Sequence, residues 1–265
     1  MLRMTSEDAA RRAMMDRLRR GGFLGDWTGT WVRGAERVVL SKHRDALTRR
    51  VLEFGIGGGR ITSHLIEIAD TLHGIDIADD MLTYCQQQYP TGTFVQEDLR
   101  NLSAWDSSEW DAIYGGYNTF DTLTYTERDA LFANVARLLR PGGVFTFSSH
   151  NRSALRLARR PWDPAGLGPR RFGRWLVRRP RAILNYSRLA ALQRVEEDYA
   201  IVVDDSLDYS LLQIYIGRDA QERQLATHGL ELLDCFDDDG APIDIGGTAG
   251  WSVSLTYVAG LTGMK

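Results

Sequence analysis

Between residues 50 and 150 the chain sets down about five short apolar runs in alternation with turns and helical stretches. The runs fall at 50–54, 72–76, 93–96, 110–114 and 144–148, with helical text at 60–69, 80–89 and 126–139. Strict alternation of this kind predicts an α/β fold, because parallel neighbours need a crossover and the crossover is usually a helix. In the last of these helices Leu131, Val135, Leu138 and Leu139 recur at helical spacing, and Pro141-Gly142-Gly143 ends it. Ahead of the alternation, 1–20 and 31–47 read as helices separated by Gly21, Gly22 and Gly25.

After residue 150 the alternation stops. Residues 151–194 hold Pro161, Pro164, Pro169 and Pro180, which predict several short helices. Two strands around the polar turn 204–208 follow, then a helix at 219–228 and strands at 230–236 and 251–259. The expected organisation is an N-terminal helical lid (1–48), a ligand-binding core (49–150), an Arg-rich insert (151–216) and the returning end of the core (217–265).

Charge singles out the insert. The net charge is −3, but 12 arginines and one acid, Asp163, lie between Arg152 and Arg194, so that stretch is 12 − 1 = +11 and the rest is −3 − 11 = −14. Arginines paired with the acidic body, an anion-binding lid and a nucleic-acid anchor with Trp162, Phe172, Trp175 and Tyr186 interleaved all fit this charge. Cys85 and Cys235 are far apart with no CxxC pair, which predicts a reducing, cytoplasmic setting. The first 20 residues are charged throughout and read as no signal peptide. No apolar run approaches the ~20 residues of a membrane span, so no membrane partner is expected.

Chemistry concentrates in Glu53-Phe54-Gly55-Ile56-Gly57-Gly58-Gly59-Arg60. A strand enters a glycine turn whose backbone can approach a ligand closely, and a helix start offers free N–H groups. A dinucleotide fingerprint wants a third glycine where Arg60 stands. The carboxylate of Glu53 just ahead of the turn repels a pyrophosphate and suits an ammonium group. Asp76 ends the second strand, where a carboxylate accepts from vicinal ribose hydroxyls. Asp98 ends the third and can accept from an exocyclic amine such as adenine N6. Three acids at three strand ends thus describe an amine, a ribose and an adenine.

The segments VLEFGIGGGR, HGIDIADDML, FVQEDLRNL, WDAIYGGYNTFDTL and LLRPGGVFTFSS together resemble the class I S-adenosylmethionine-dependent methyltransferases. The resemblance implies a Rossmann-like, seven-stranded, mostly parallel sheet with an antiparallel last strand and an insert between strands five and six. It implies S-adenosyl-L-methionine as cofactor and S-adenosyl-L-homocysteine as product. Carried over by position, Glu53, Phe54, Gly55, Gly57, Gly59 and Arg60 would hold the methionine part. Asp76 would bind the ribose, with Ile77 and Met81 beside the adenine, and Asp98 and Leu99 would bind adenine. Tyr114 and Gly115 would flank the sulfonium.

Methyl transfer from a sulfonium is an SN2 displacement, in which alignment matters most and a base is needed only for a protonated acceptor. His150, after strand five, is the candidate base because its imidazole titrates near neutrality; a loop or capping role fits it equally. Tyr117, Asn118, Asn151 and Tyr186 are the candidate acceptor contacts. Asn118 and Asp121 suggest a metal site, but no second acid pair accompanies them and none is expected. The expected reaction is methylation of O or N on a small molecule. RNA methylation anchored by the insert, or a member of the fold that binds cofactor without transferring methyl groups, are the alternatives.

Overall fold

The protein is described by a computed structural model covering residues 5–105, 107, 109–163 and 169–263. Pro164 lies outside the described residues. The elements in chain order are α1 (Ser6–Arg19), α2 (Leu24–Trp27), α3 (Gly34–Lys42), α4 (Arg44–Leu47), β1 (Arg50–Phe54), α5 (Thr62–Leu65), β2 (Thr71–Asp76), α6 (Asp79–Gln88), β3 (Thr93–Gln96) and β4 (Trp110–Gly115). They continue with α7 (Tyr125–Leu138), β5 (Leu139–Asn151), α8 (Pro169–Leu189), β6 (Arg194–Val195), β7 (Tyr199–Val202), β8 (Gln213–Ile216), α9 (Arg218–Ala226), β9 (Leu230–Phe236) and β10 (Ser254–Leu261).

The parallel strands run β3-β2-β1-β4-β5, and β10 and β9 complete the row, β10 antiparallel to both neighbours. The order reverses between β1 and β4, and ligands of open α/β sheets sit outside the carboxyl ends of the strands at that point. Glu53 and Gly115 are therefore placed where a ligand belongs.

That row is the expected seven strands; among the described residues the sheet has ten, because the insert adds three. The difference comes from β5, whose residues His150 and Asn151 run past the end of β4 and pair with Tyr215 and Ile216 of β8. Through β8, β7 and β6 the insert becomes an extension of the sheet.

Two apolar layers sandwich the sheet. On one face Phe120, Phe132, Phe145 and Phe147 pack with Leu131 and Val135 of α7. On the other, Ala35, Val39 and Leu47 from α3 and α4 cover Val51, Tyr114, Val144 and Val258. Each of these large side chains leaves water on folding, at roughly 25 cal/mol per Å² of apolar surface.

Local expectations fail in three places. The helix at 60–69 shrinks to the single turn of α5; the β-branched Ile61, Thr62, Ile66 and Ile68 resist a longer one. The helix at 31–47 divides at His43 into α3 and α4. The insert keeps two short 3₁₀ helices, Arg152–Leu157 and Ala190–Leu192, but between them Pro169–Leu189 forms one helix, α8, of 21 residues with Pro180 inside it. Pro169 sits at its first position, where the missing N–H costs nothing. Among the described residues no helix is long and apolar enough to cross a membrane.

Candidate functional site

Gly55, Gly57 and Gly59 all take left-handed backbone, with φ of 64°, 52° and 76°. A Cβ at Gly55 would lie 2.4 Å from the Thr119 methyl, and one at Gly115 only 2.2 Å from the Phe120 ring. These two positions hold the rims of β1 and β4 close, and side chains there would force them apart.

Glu53 is buried, and its Oε2 accepts from the Thr62 hydroxyl at 2.7 Å. Burial pushes its carboxyl up to about 8, against the pull of Thr62 and Arg60. A buried acid of this kind is relieved by a cation beside it. Asp76 accepts from the Gly57 and Ala78 amides at 2.9 Å each. Burial also raises its carboxyl, with those amides opposing. Met81 is fully buried below the loop, and Ile77 accepts from the Gln96 amide at 3.1 Å.

Several candidates are engaged elsewhere. Arg60 forms a buried two-pronged pair with Glu36, at 2.5 and 2.7 Å, donates to the Trp31 carbonyl, and lies under the Trp31 ring at 4.4 Å. It latches the N-terminal segment and leaves no free fork for a cofactor. Asp98 is chelated by Arg100 at 2.6 and 2.9 Å and approached by Arg19 at 3.5 Å. Although burial works the other way, Arg100 holds its carboxyl below the usual range. Leu99 packs against the core at half burial. Tyr114 is buried in the sheet between Glu53 and Thr146.

The N-terminal segment straps the carboxyl edge of the sheet. Arg11 donates to the Thr122 carbonyl at 3.1 Å, the Gly22 amide to Asp80 at 2.7 Å, and His64 meets the Thr30 carbonyl at 2.7 Å. The Trp27 side chain lies outside the described residues. Glu36 was invisible in the sequence, because its partner stands 24 residues away.

A second centre forms where β4 and β5 end. Asp121 is fully buried and receives the His150 backbone amide and His150 Nδ1, each at 2.7 Å, Arg128 at 2.8 Å, and the Ser149 hydroxyl. His150 stacks on Tyr215 at 4.6 Å, and its Nε2 faces Asn118 Nδ2 at 3.2 Å and Asp204 at 3.5 Å. Burial opposes the imidazolium, but Asp121 and then Asp204 outweigh it and hold the imidazole above its ordinary value. Tyr117 and Asn118 have positive φ, 55° and 60°. Tyr117 is exposed at the rim over Arg33 at 4.5 Å, while Asn118 Oδ1 is buried without a hydrogen-bond partner among the described residues.

Two predicted acceptor contacts fall away. Asn151 spends its amide on the carbonyls of Thr248, Ala249 and Ser252 and its oxygen on the Ser153 amide. Tyr186 lies in the insert, bonded to Arg160 and Gln193 and lining a cavity of about 270 Å³. Asp204 and Tyr215 were missed, since only the pairing of β5 with β8 brings them to His150. Among the described residues no cluster of acids, histidines and cysteines could hold a metal.

Residues 51–143 match the family model of a methyltransferase domain. The Bacillus subtilis protein named methyltransferase YqeM is 31% identical over 109 residues, 38% of this chain and 42% of that one. A fatty-acid O-methyltransferase of Mycolicibacterium smegmatis is 32% identical over 108 residues, 39% of this chain and 38% of its own. The chain thus spans about two fifths of these relatives. Among solved structures, the CcbJ methyltransferase of Streptomyces caelestis superposes with a TM-score of 0.57 at 17% identity, covering 90% of this chain and 94% of that one. A Burkholderia thailandensis 1,6-didemethyltoxoflavin-N1-methyltransferase gives 0.60 at 13% identity, covering 99% and 92%. Over residues 51–143 the chain is therefore similar to methyltransferase domains, and its fold is that of the methyltransferases it superposes on.

The state of Glu53 carries a stability prediction. Its folded carboxyl titrates near 8 and its unfolded one near 4.5. The folded chain therefore holds the extra proton, and stability present below 4.5 is lost as pH rises through 8. Glu53→Gln removes this dependence. Thermal unfolding at pH 5 and pH 8 should show a smaller fall in Tm for the variant than for the wild type; equal falls would refute the assignment.

Proposed function

We propose that this chain transfers a methyl group from S-adenosylmethionine to oxygen or nitrogen of a small-molecule acceptor, with His150 as the base. The observation that carries the reading is the left-handed glycine turn flanked by the buried Glu53 and the half-buried Asp76 at the switch point of the sheet. Its donors and acceptors fit a ligand with an ammonium group and ribose hydroxyls.

When bound, the cofactor supplies an electrophilic methyl group on a sulfonium. The chain's residues do the rest. Glu53 meets positive charge at the methionine end. Asp76, fixed by two amides, keeps lone pairs for the ribose. Gly115 lets the Phe120 ring close under the end of β4, and the strap from Arg11 to Glu36 excludes water. His150, oriented through Nδ1 by Asp121, uses Nε2 to take a proton from the acceptor. Asn118 Oδ1, buried and unpartnered, is the acceptor's hydrogen-bond partner. The strap over the sheet edge favours a small acceptor, as do the acceptors named for the fatty-acid and toxoflavin enzymes.

Titration calorimetry with S-adenosylhomocysteine tests the reading. Micromolar binding is expected, and no heat at that concentration would sink it. Asp76→Ala should weaken binding by about 2–3 kcal/mol, because two ribose hydroxyls lose a charged acceptor.

A further inference from the structure

We propose that the outer face of α8 docks on the surface of an anionic lipid bilayer, the helix lying in the headgroup plane. The helix already buries one stripe: Ala182 and Tyr186 pack against Ile201, Val203 and Leu212. A second apolar stripe faces outward. At ~100° per residue, Phe172, Ile183, Leu176, Pro180, Leu184 and Val177 follow one another around an arc of about 140°. Phe172 is 44% exposed, Leu176 54%, Val177 81%, Ile183 38% and Leu184 50%. Five exposed apolar side chains on one face of one helix are a patch, not scatter.

Charge selects the occupant. Residues 169–189 carry seven arginines and no acid; Arg188 and Arg181 border the Val177 edge of the apolar arc and Arg179 the Phe172 edge. An apolar stripe edged by arginines is the pattern of a helix that inserts shallowly and holds anionic headgroups at its sides. A second copy of this chain is disfavoured, since two +11 inserts would meet face to face. RNA is disfavoured too. Single-stranded RNA needs free ring faces for stacking. Four of the five exposed apolar side chains of α8 are aliphatic, Tyr186 is buried, Trp175 is half-buried beside Arg179, and the exposed rings of Phe172 and Trp162 pack against Trp175 and Tyr186. The expectation of no membrane partner rested on the length of apolar runs, which a surface-lying helix does not need.

The full chain is tested by co-sedimentation with vesicles of phosphatidylcholine alone and with about one third phosphatidylglycerol. Binding to the anionic vesicles should be at least tenfold tighter and should weaken with salt. Val177→Asp combined with Leu184→Asp should lose at least tenfold of it at an unchanged Tm, both positions being exposed. Arg181→Gln with Arg188→Gln should lose the preference for phosphatidylglycerol. The proposal is overturned by absence of binding to anionic vesicles. Equal binding by the aspartate variant also overturns it. So does a dimer, or a complex with single-stranded RNA, that forms while vesicles are ignored. Cofactor binding is measured separately, so failure of the methyltransferase reading leaves this test intact.

Discussion

His150→Gln is expected to lower kcat by about 10²–10⁴-fold, the usual contribution of a positioned proton acceptor, while S-adenosylhomocysteine binding stays within about twofold. Glutamine can keep the hydrogen bond to Asp121 but cannot take a proton. The assay is S-adenosylhomocysteine formation with whichever phenol, carboxylate or amine the wild type turns over. The pH profile adds a second readout. Because Asp121 and Asp204 outweigh burial and hold the imidazolium, the base is protonated at low pH. Activity should rise with pH through a limb above the ordinary ~6.5 of histidine. Asp204→Asn removes one of the two anions and should move that limb to lower pH. Wild-type kcat in the glutamine variant would mean that alignment alone drives the transfer.

The core was legible because its signals are local. A glycine turn following an apolar run needs only eight consecutive residues, and Glu53, Asp76 and Asp98 mark strand ends within their own segments. What the sequence hid was set by distant pairings. Asn151 looked like a neighbour of His150 with the same prospects, but β-strand alternation turns successive side chains to opposite faces. One meets Asp121 and the other the 248–252 loop. Arg60 stood inside the glycine motif, yet the nearest buried carboxylate on a separate helix claimed it. The insert misled because prolines were read as breaks. Pro169 starts α8, and Pro180 lies on its exposed stripe. Its register as a sheet extension depended on β5 outrunning β4, which no local pattern announces.

Asp121→Ala should cost about 3–5 kcal/mol of stability, the penalty for leaving a buried ion without its partner. Arg128 and Asp121 are both fully buried, 2.8 Å apart, and among the described residues Arg128 keeps only Gln221 as a further side-chain acceptor. The loss should appear as a Tm drop of roughly 10 °C, at ~2–4 °C per kcal/mol for a domain of this size. Adding Arg128→Met should recover much of the drop, because a buried pair exchanged for apolar groups is often neutral. Recovery of the fold should not recover turnover. In the double variant His150 still lacks the carboxylate that fixes its Nδ1 proton and raises its pKa, so kcat should remain low and the pH limb should fall. If the double variant regains both Tm and kcat, Asp121 acts only as a counter-ion to Arg128. If it regains Tm alone, Asp121 is a positioning residue that serves the fold through Arg128 and the chemistry through His150.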